Sequence, residues 1–163
     1  MENRNITTKI TVCSYEELNE EEKKLIDAAK EATNRSYAPY SRFQVGAAAL
    51  LAGDIVVSGS NQENAAYPSG TCAERTTLFY ANSQYPDRAV KALAIAAQTG
   101  GGFIAHPTAP CGACRQVILE TEERYKQPMR IYLYGTEEIF VVDSIRSLLP
   151  LCFGKNDLPE QAE

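Results

Sequence analysis

The chain reads as an α/β protein in which helices pack on a mixed sheet, and three observations lead there. Apolar residues recur at helical spacing in some segments and as short continuous runs in others. The two kinds of segment follow one another in the order α-β-β-α-β-α-β-β-α, the pattern of helices laid on a sheet. No internal repeat, linker or low-complexity stretch divides residues 1–163, and that length suffices for one compact core, so a single domain is expected.

The elements can be justified in turn. Asn19 can cap the first helix, with Glu22 three residues on as in a capping box. Leu25, Ile26, Ala29 and Ala32 then form one apolar face, and the 36–41 stretch carrying Pro39 ends it. Apolar runs at 45–52 and 55–58 flank Gly53-Asp54, a hairpin signal. A second helix begins at Cys72 and carries Leu78 and Ala81, with Pro86 closing that region. Residues 92–97 form an apolar strand, and the Pro110-Cys111 turn opens a third helix with Val117 and Ile118 inward. Strands at 130–134 and 139–142 follow, then a short helix over 144–149 and a polar tail over 155–163, loose beyond 158.

Composition narrows the function. Hydrophobic residues make up 44% and charged residues 23%, an ordinary globular balance, and no segment has the apolar length to cross a bilayer. Residues 1–8 have no apolar core and no cleavage pattern, so a cytoplasmic location is expected. A net charge of −5 without a basic stripe argues against nucleic acid and for a small uncharged substrate. Five cysteines are an odd number, which suits metal ligands or buried packing better than a disulfide framework. Cys13 and Cys152 read as packing residues.

The chemistry-bearing residues are Cys72-Ala73-Glu74 and, well downstream, Cys111-Gly112-Ala113-Cys114. Three thiols can hold Zn²⁺ and leave a fourth position open, as a catalytic rather than a structural site does. Both motifs sit at expected helix starts, where the macrodipole favours thiolate. Glu74 lies beside such a metal without having to ligate it. Three thiolates on a dication leave one excess negative charge; Arg75, one helical turn from Cys72, can donate to them. The plainer alternative for Arg75 is a surface ion pair.

Further blocks accompany these motifs: Tyr37-Ala38-Pro39-Tyr40-Ser41-Arg42-Phe43-Gln44-Val45-Gly46, then Asn61-Gln62-Glu63-Asn64-Ala65-Ala66-Tyr67, and later Leu148-Leu149-Pro150-Leu151-Cys152-Phe153. In this order and spacing, with the all-cysteine zinc-deaminase signature, the chain resembles the short-chain, homotetrameric cytidine deaminases. The resemblance covers about 18–158 and leaves 1–17 and 159–163 peripheral. Gln62, where an aliphatic residue is common, and the N-terminal extension depart from it.

The resemblance implies a three-layer α/β/α fold with a mixed five-stranded sheet and one Zn²⁺ per chain on Cys72, Cys111 and Cys114. It implies that Glu74 shuttles protons while cytidine or deoxycytidine is hydrolysed to uridine or deoxyuridine and ammonia, a pyrimidine-salvage reaction. By the same resemblance Asn61 and Glu63 meet the ribose 3′-hydroxyl, and Phe43 and Ala73 contact substrate. Phe153 stacks into a neighbouring subunit's site, and Tyr40 and Tyr67 stand at subunit contacts. The expected partners are therefore a nucleoside and three further copies of the chain, with shared sites. Alternatives are a same-fold deaminase of a modified cytosine nucleoside of the blasticidin type, and a structural zinc or nucleic-acid-binding module. The Asn61–Asn64 block disfavours the first; the lack of a fourth ligand and of a basic face disfavours the second. His106 has no ligand role in an all-cysteine set, and Gly100-Gly101-Gly102, lacking the residues of a phosphate loop, reads as a flexible connection.

Overall fold

A computed structural model describes residues 1–159. The expected tail lies partly outside the described residues; of it, Lys155–Asp157 form a 3₁₀ turn. Three helices, α1 (Glu20–Ala32), α2 (Ala73–Gln84) and α3 (Gly112–Tyr125), accompany seven strands. The strands are β1 (Thr11–Cys13), β2 (Gln44–Leu51), β3 (Ile55–Ser60), β4 (Val90–Thr99), β5 (Gly102–Phe103), β6 (Arg130–Tyr134) and β7 (Ile139–Val142). They join in the order β1-β7-β6-β4-β2-β3, with β5 turned back on the end of β4. Among the strands of the described residues only β4 and β6 pair in parallel, and α3 makes the crossover that a parallel pair requires.

Strand alternation separates two cores. Ala47, Ala49, Leu51, Leu93, Ile95, Ile131 and Leu133 face Leu78 and Ala81 of α2 and Ile118 and Leu119 of α3. Ala48, Leu50, Ala94 and Ala96 point the other way, to Leu25, Ile26 and Ala29 of α1. The result is three layers, α1 on one face and α2 with α3 on the other. The small residues of β2 and β4 let helices lie close. At Gly46 any Cβ would stand 2.1 Å from the Ala29 carbonyl oxygen, so α1 needs glycine there.

Helix α1 starts as its sequence implies. Asn19 accepts from the Glu21 and Glu22 N–H groups, and Glu22 returns a bond to the Asn19 N–H, closing the capping box. The Gly53-Asp54 turn has positive φ at both residues, 86° and 59°, matching the twist of the β2–β3 hairpin.

The sheet corrects the expected strand count, five becoming seven. Strand β1 has three residues on an edge, too few for an alternating pattern to stand out. Strand β5 exists because Gly100 and Gly101, both at positive φ, close a tight hairpin that pairs Gln98 with Phe103. The glycine run is thus a turn rather than a flexible connection. The expected helix over 144–149 shortens to a 3₁₀ turn, Ile145–Ser147, capped by Ser144.

Candidate metal centre and substrate cleft

Helices α2 and α3 lie side by side on one sheet face, and their first turns bring the cysteine motifs together. Cys72 is the N-cap of α2 and Cys111 that of α3, and neither thiol makes a side-chain capping bond. The Cys72 and Cys111 sulfurs are 3.9 Å apart, the Cys111 and Cys114 sulfurs 3.5 Å, and all three lie within 4.8 Å of one another. Three corners of a tetrahedron with metal–sulfur bonds of about 2.3 Å would be separated by about 3.8 Å. The thiols therefore fit a single Zn²⁺ per chain, and no other such cluster occurs among the described residues.

The electrostatics favour a thiolate at Cys72. Cys114 shares its proton with Cys72, and the Arg75 guanidinium lies on the same sulfur, so Cys72 is drawn down to about 5 while Cys114 is held up. Arg75 Nη2 stands 3.9 Å from Cys72 Sγ, the placement expected of a group that offsets thiolate charge.

Glu74, in the first turn of α2, is only 4% exposed. Burial pushes its carboxyl above the usual carboxylate range, and the neighbouring Cys72 charge adds to this. Its Oε2 has no hydrogen-bond partner, a costly state for a buried carboxyl and one that a bound reactant would relieve. Ala73, beside it, is fully buried.

A cleft of about 490 Å³ opens at this corner, and its lining includes Tyr40, Ser41, Asn61, Glu63, Thr71, Cys72 and Arg75. Its far wall is two extended segments sewn together. Tyr37 N–H donates to the Asn61 carbonyl and Glu63 N–H to the Tyr37 carbonyl, while Glu63 Oε2 accepts from the N–H groups of Tyr40 (2.8 Å) and Ser41 (3.3 Å). The Ser41 hydroxyl, followed by those amides, holds the Glu63 carboxyl below its usual range. Asn61 Oδ1 accepts from the Ser36 hydroxyl and from Val45 N–H, and its Nδ2 donates to the Phe43 carbonyl.

Of the residues expected at the site, Asn61, Glu63, Cys72, Arg75, Tyr40 and Tyr67 line this cleft. Tyr40 and Tyr67 form an exposed edge-to-face pair with centroids 6.3 Å apart. Phe43 is half-buried, and its ring is not part of the lining. Phe153 lies outside it too, 60% exposed, with its carbonyl held by Gln116 Nε2 at 2.8 Å. Leu148 and Leu149 of the same segment pack on the core, whereas Leu151 is 81% exposed. His106 stands at the surface beside Glu138. Cys13 and Cys152 pack against the two cores.

Some contributors carried no readable signal. Arg115 donates to the carbonyls of Pro110 and Leu148, tying the third-helix turn to the C-terminal segment. Glu122 is buried, yet its oxygens take Met129 N–H, Ile145 N–H and the Ser144 hydroxyl, joining α3 to the ends of β6 and β7. On a helix read by periodicity, Glu122 looks like a solvated residue.

An open three-thiol centre with a buried carboxyl beside it, on a three-layer α/β/α frame, defines a catalytic zinc protein. The chain belongs to the family described as "Cytidine and deoxycytidylate deaminase zinc-binding region", whose pattern matches residues 19–127. It is 43% identical to a cytidine deaminase of Sporosarcina psychrophila over 86% of this chain and 96% of that protein. With the cytidine deaminase of Halalkalibacterium halodurans it shares 41% over 82% and 95% of the two. The crystal structure of a Burkholderia pseudomallei cytidine deaminase superimposes with a TM-score of 0.69 at 41% identity, covering 80% of this chain and 97% of that one.

Proposed function

We propose that this chain is a cytidine deaminase: it hydrolyses cytidine to uridine and ammonia, using one Zn²⁺ per chain. The observation that carries this is a single cleft lined both by Cys72 and Arg75 and by the polar pair Asn61 and Glu63. Zn²⁺ held by Cys72, Cys111 and Cys114 supplies Lewis-acid activation of water at neutral pH. The remaining work falls to the chain. Glu74 takes one proton from the attacking water and gives it to N3 of the cytosine ring, then takes the second from the hydroxyl now on C4 and delivers it to the departing amine. Water adds, ammonia leaves, and the proton count balances. The raised carboxyl suits that exchange better than an ordinary solvated glutamate.

The geometry supports Asn61 and Glu63 as the sugar-binding pair, since both line the cleft and a carboxylate disfavours a phosphate nearby. Deoxycytidine belongs to the same proposal. Phe43 and Ala73 as substrate contacts, and Tyr40 and Tyr67 as subunit contacts, accompany it. Phe153 is proposed to complete a neighbour's site in a homotetramer, a reading favoured by the exposure of Phe153 and Leu151 on a segment otherwise anchored to α3. We take residues 1–163 as one domain, active in the cytoplasm in pyrimidine salvage without nucleic-acid or membrane partners. No helix among the described residues is long and apolar enough to cross a membrane.

Ammonia release from a panel of cytosine, cytidine, deoxycytidine, CMP and blasticidin tests the function. Turnover of cytidine and deoxycytidine is expected, with CMP and free cytosine poor. A preference for blasticidin would move the chain to the modified-nucleoside reading.

A further inference from the structure

We infer that Ser36 is a positioning residue for the sugar site: its hydroxyl saturates Asn61 Oδ1, so that Asn61 presents only an N–H to the cleft. The inference rests on the proposal that Asn61 and Glu63 bind the ribose.

The argument is a count of donors and acceptors. An asparagine amide offers two N–H groups and two carbonyl lone pairs. Val45 N–H occupies one lone pair of Asn61 Oδ1 at 2.8 Å, and the Ser36 hydroxyl the other. Phe43 carbonyl takes one Nδ2 hydrogen at 2.9 Å. The two backbone partners set which way the amide faces, because a flipped amide would oppose donor to donor at Val45 and acceptor to acceptor at Phe43. They leave one lone pair and one N–H uncommitted, and Ser36 removes the lone pair. What remains is a single donor.

Two residues on, the Glu63 carboxylate accepts the Tyr40 and Ser41 amides at Oε2 and can offer the cleft only acceptors. A donor-only amide and an acceptor-only carboxylate together suit a group that both accepts and donates, such as a hydroxyl. Without Ser36, Oδ1 could compete with Glu63 for the hydroxyl proton or hold a water in its place.

Ser36 is well placed for the task. It is half-buried and ends the 3₁₀ turn after α1, where its N–H bonds the Thr33 carbonyl. Its neighbour Tyr37 is bonded through the main chain to both Asn61 and Glu63. The hydroxyl is therefore delivered by backbone that the cleft wall itself clamps.

The experiment is steady-state kinetics of wild type, Ser36→Ala, Ser36→Thr, Asn61→Ala and the Ser36→Ala/Asn61→Ala double variant, on cytidine and on 3′-deoxycytidine. Ser36→Ala is expected to raise KM for cytidine roughly three- to tenfold, the worth of one polar contact, with kcat little changed. The effect should vanish on 3′-deoxycytidine and in the Asn61→Ala background, and Ser36→Thr should restore the wild-type value. Equal losses on both substrates would mean a general loosening and overturn the inference, as would an unchanged KM. If wild type itself treats the two nucleosides alike, the sugar-site proposal falls and the inference with it. If wild type discriminates and Ser36→Ala discriminates equally, only the inference falls.

Discussion

The metal corner and the wall of the cleft that carries Asn61 and Glu63 are built by different means. The corner stands on two helix starts: Cys72, Glu74, Cys111 and Cys114 are placed by the first turns of α2 and α3, whose apolar faces are fixed on the sheet. The wall has no regular element behind most of it. Residues 36–38 and 61–63 run alongside each other, a turn over 39–41 follows, and main-chain and side-chain hydrogen bonds hold them, with Asn61 and Glu63 as fasteners. A rigid corner suits chemistry that needs three sulfurs within a few tenths of an ångström. A hydrogen-bonded wall suits recognition, where each lost bond weakens selection without dismantling the reaction.

If that contrast is right, the largest effects come from the corner. Cys111→Ala should lose zinc and with it essentially all turnover, whereas Cys152→Ala should keep both; elemental analysis of the purified variants decides. Zinc should also be released as pH falls, because protons compete for thiolates that must be unprotonated to bind. Retention of a full zinc equivalent by Cys111→Ala would break the ligand assignment.

Next comes Glu74→Gln, which preserves size while removing proton transfer. Zinc content should stay at one per chain while kcat falls by about 10²–10⁴. Near-normal turnover would show that another group moves the protons and that the buried, unpartnered carboxyl is only structural.

The wall should respond more mildly. Asn61→Ala should lower kcat/KM for cytidine by about 1–3 kcal/mol, partly through binding and partly through slackening of the 43–45 backbone that it anchors. Glu63→Ala should chiefly raise KM and relieve the exclusion of CMP. An Asn61→Ala protein that loses zinc would mean the two regions are not separable.

Phe153→Ala sharpens the comparison across subunits, with nucleoside binding weakened by roughly 1–3 kcal/mol and zinc unaffected. Mixing it with Glu74→Gln should restore activity if subunits exchange, since some pockets then pair an intact Glu74 with a neighbour's Phe153. A fully active monomer by light scattering would end the shared-site reading.

Much of this was legible in the chain itself, and for a local reason. The α1 cap at Asn19, the Gly53-Asp54 hairpin and the strands at 130–134 and 139–142 depend on residues near in sequence, so pattern sufficed. The metal corner was equally legible because helix geometry places Cys111 and Cys114 on one face, and only Cys72 had to be brought from elsewhere. The glycine run at 100–102 could have been read as a tight hairpin; two adjacent glycines permit the positive φ that it uses. Strand β1 could not, because three edge residues gain their pairing only from β7, far away in the chain.

Tertiary structure decided what depends on distant partners. Nothing near Glu122 announces that Met129, Ile145 and Ser144 will converge on it, and nothing near Ser36 announces Asn61. Nor does sequence tell that Leu148 and Leu149 turn inward while Leu151 and Phe153 remain outside. Side-chain chemistry by itself determined that three thiols could hold a zinc ion with a carboxyl close in sequence. Only the packing of α2 against α3, and of one loop segment on another, gathered the three thiols at one corner and put Cys72 and Arg75 in one cleft with Asn61 and Glu63, because such placements are properties of neighbours in space.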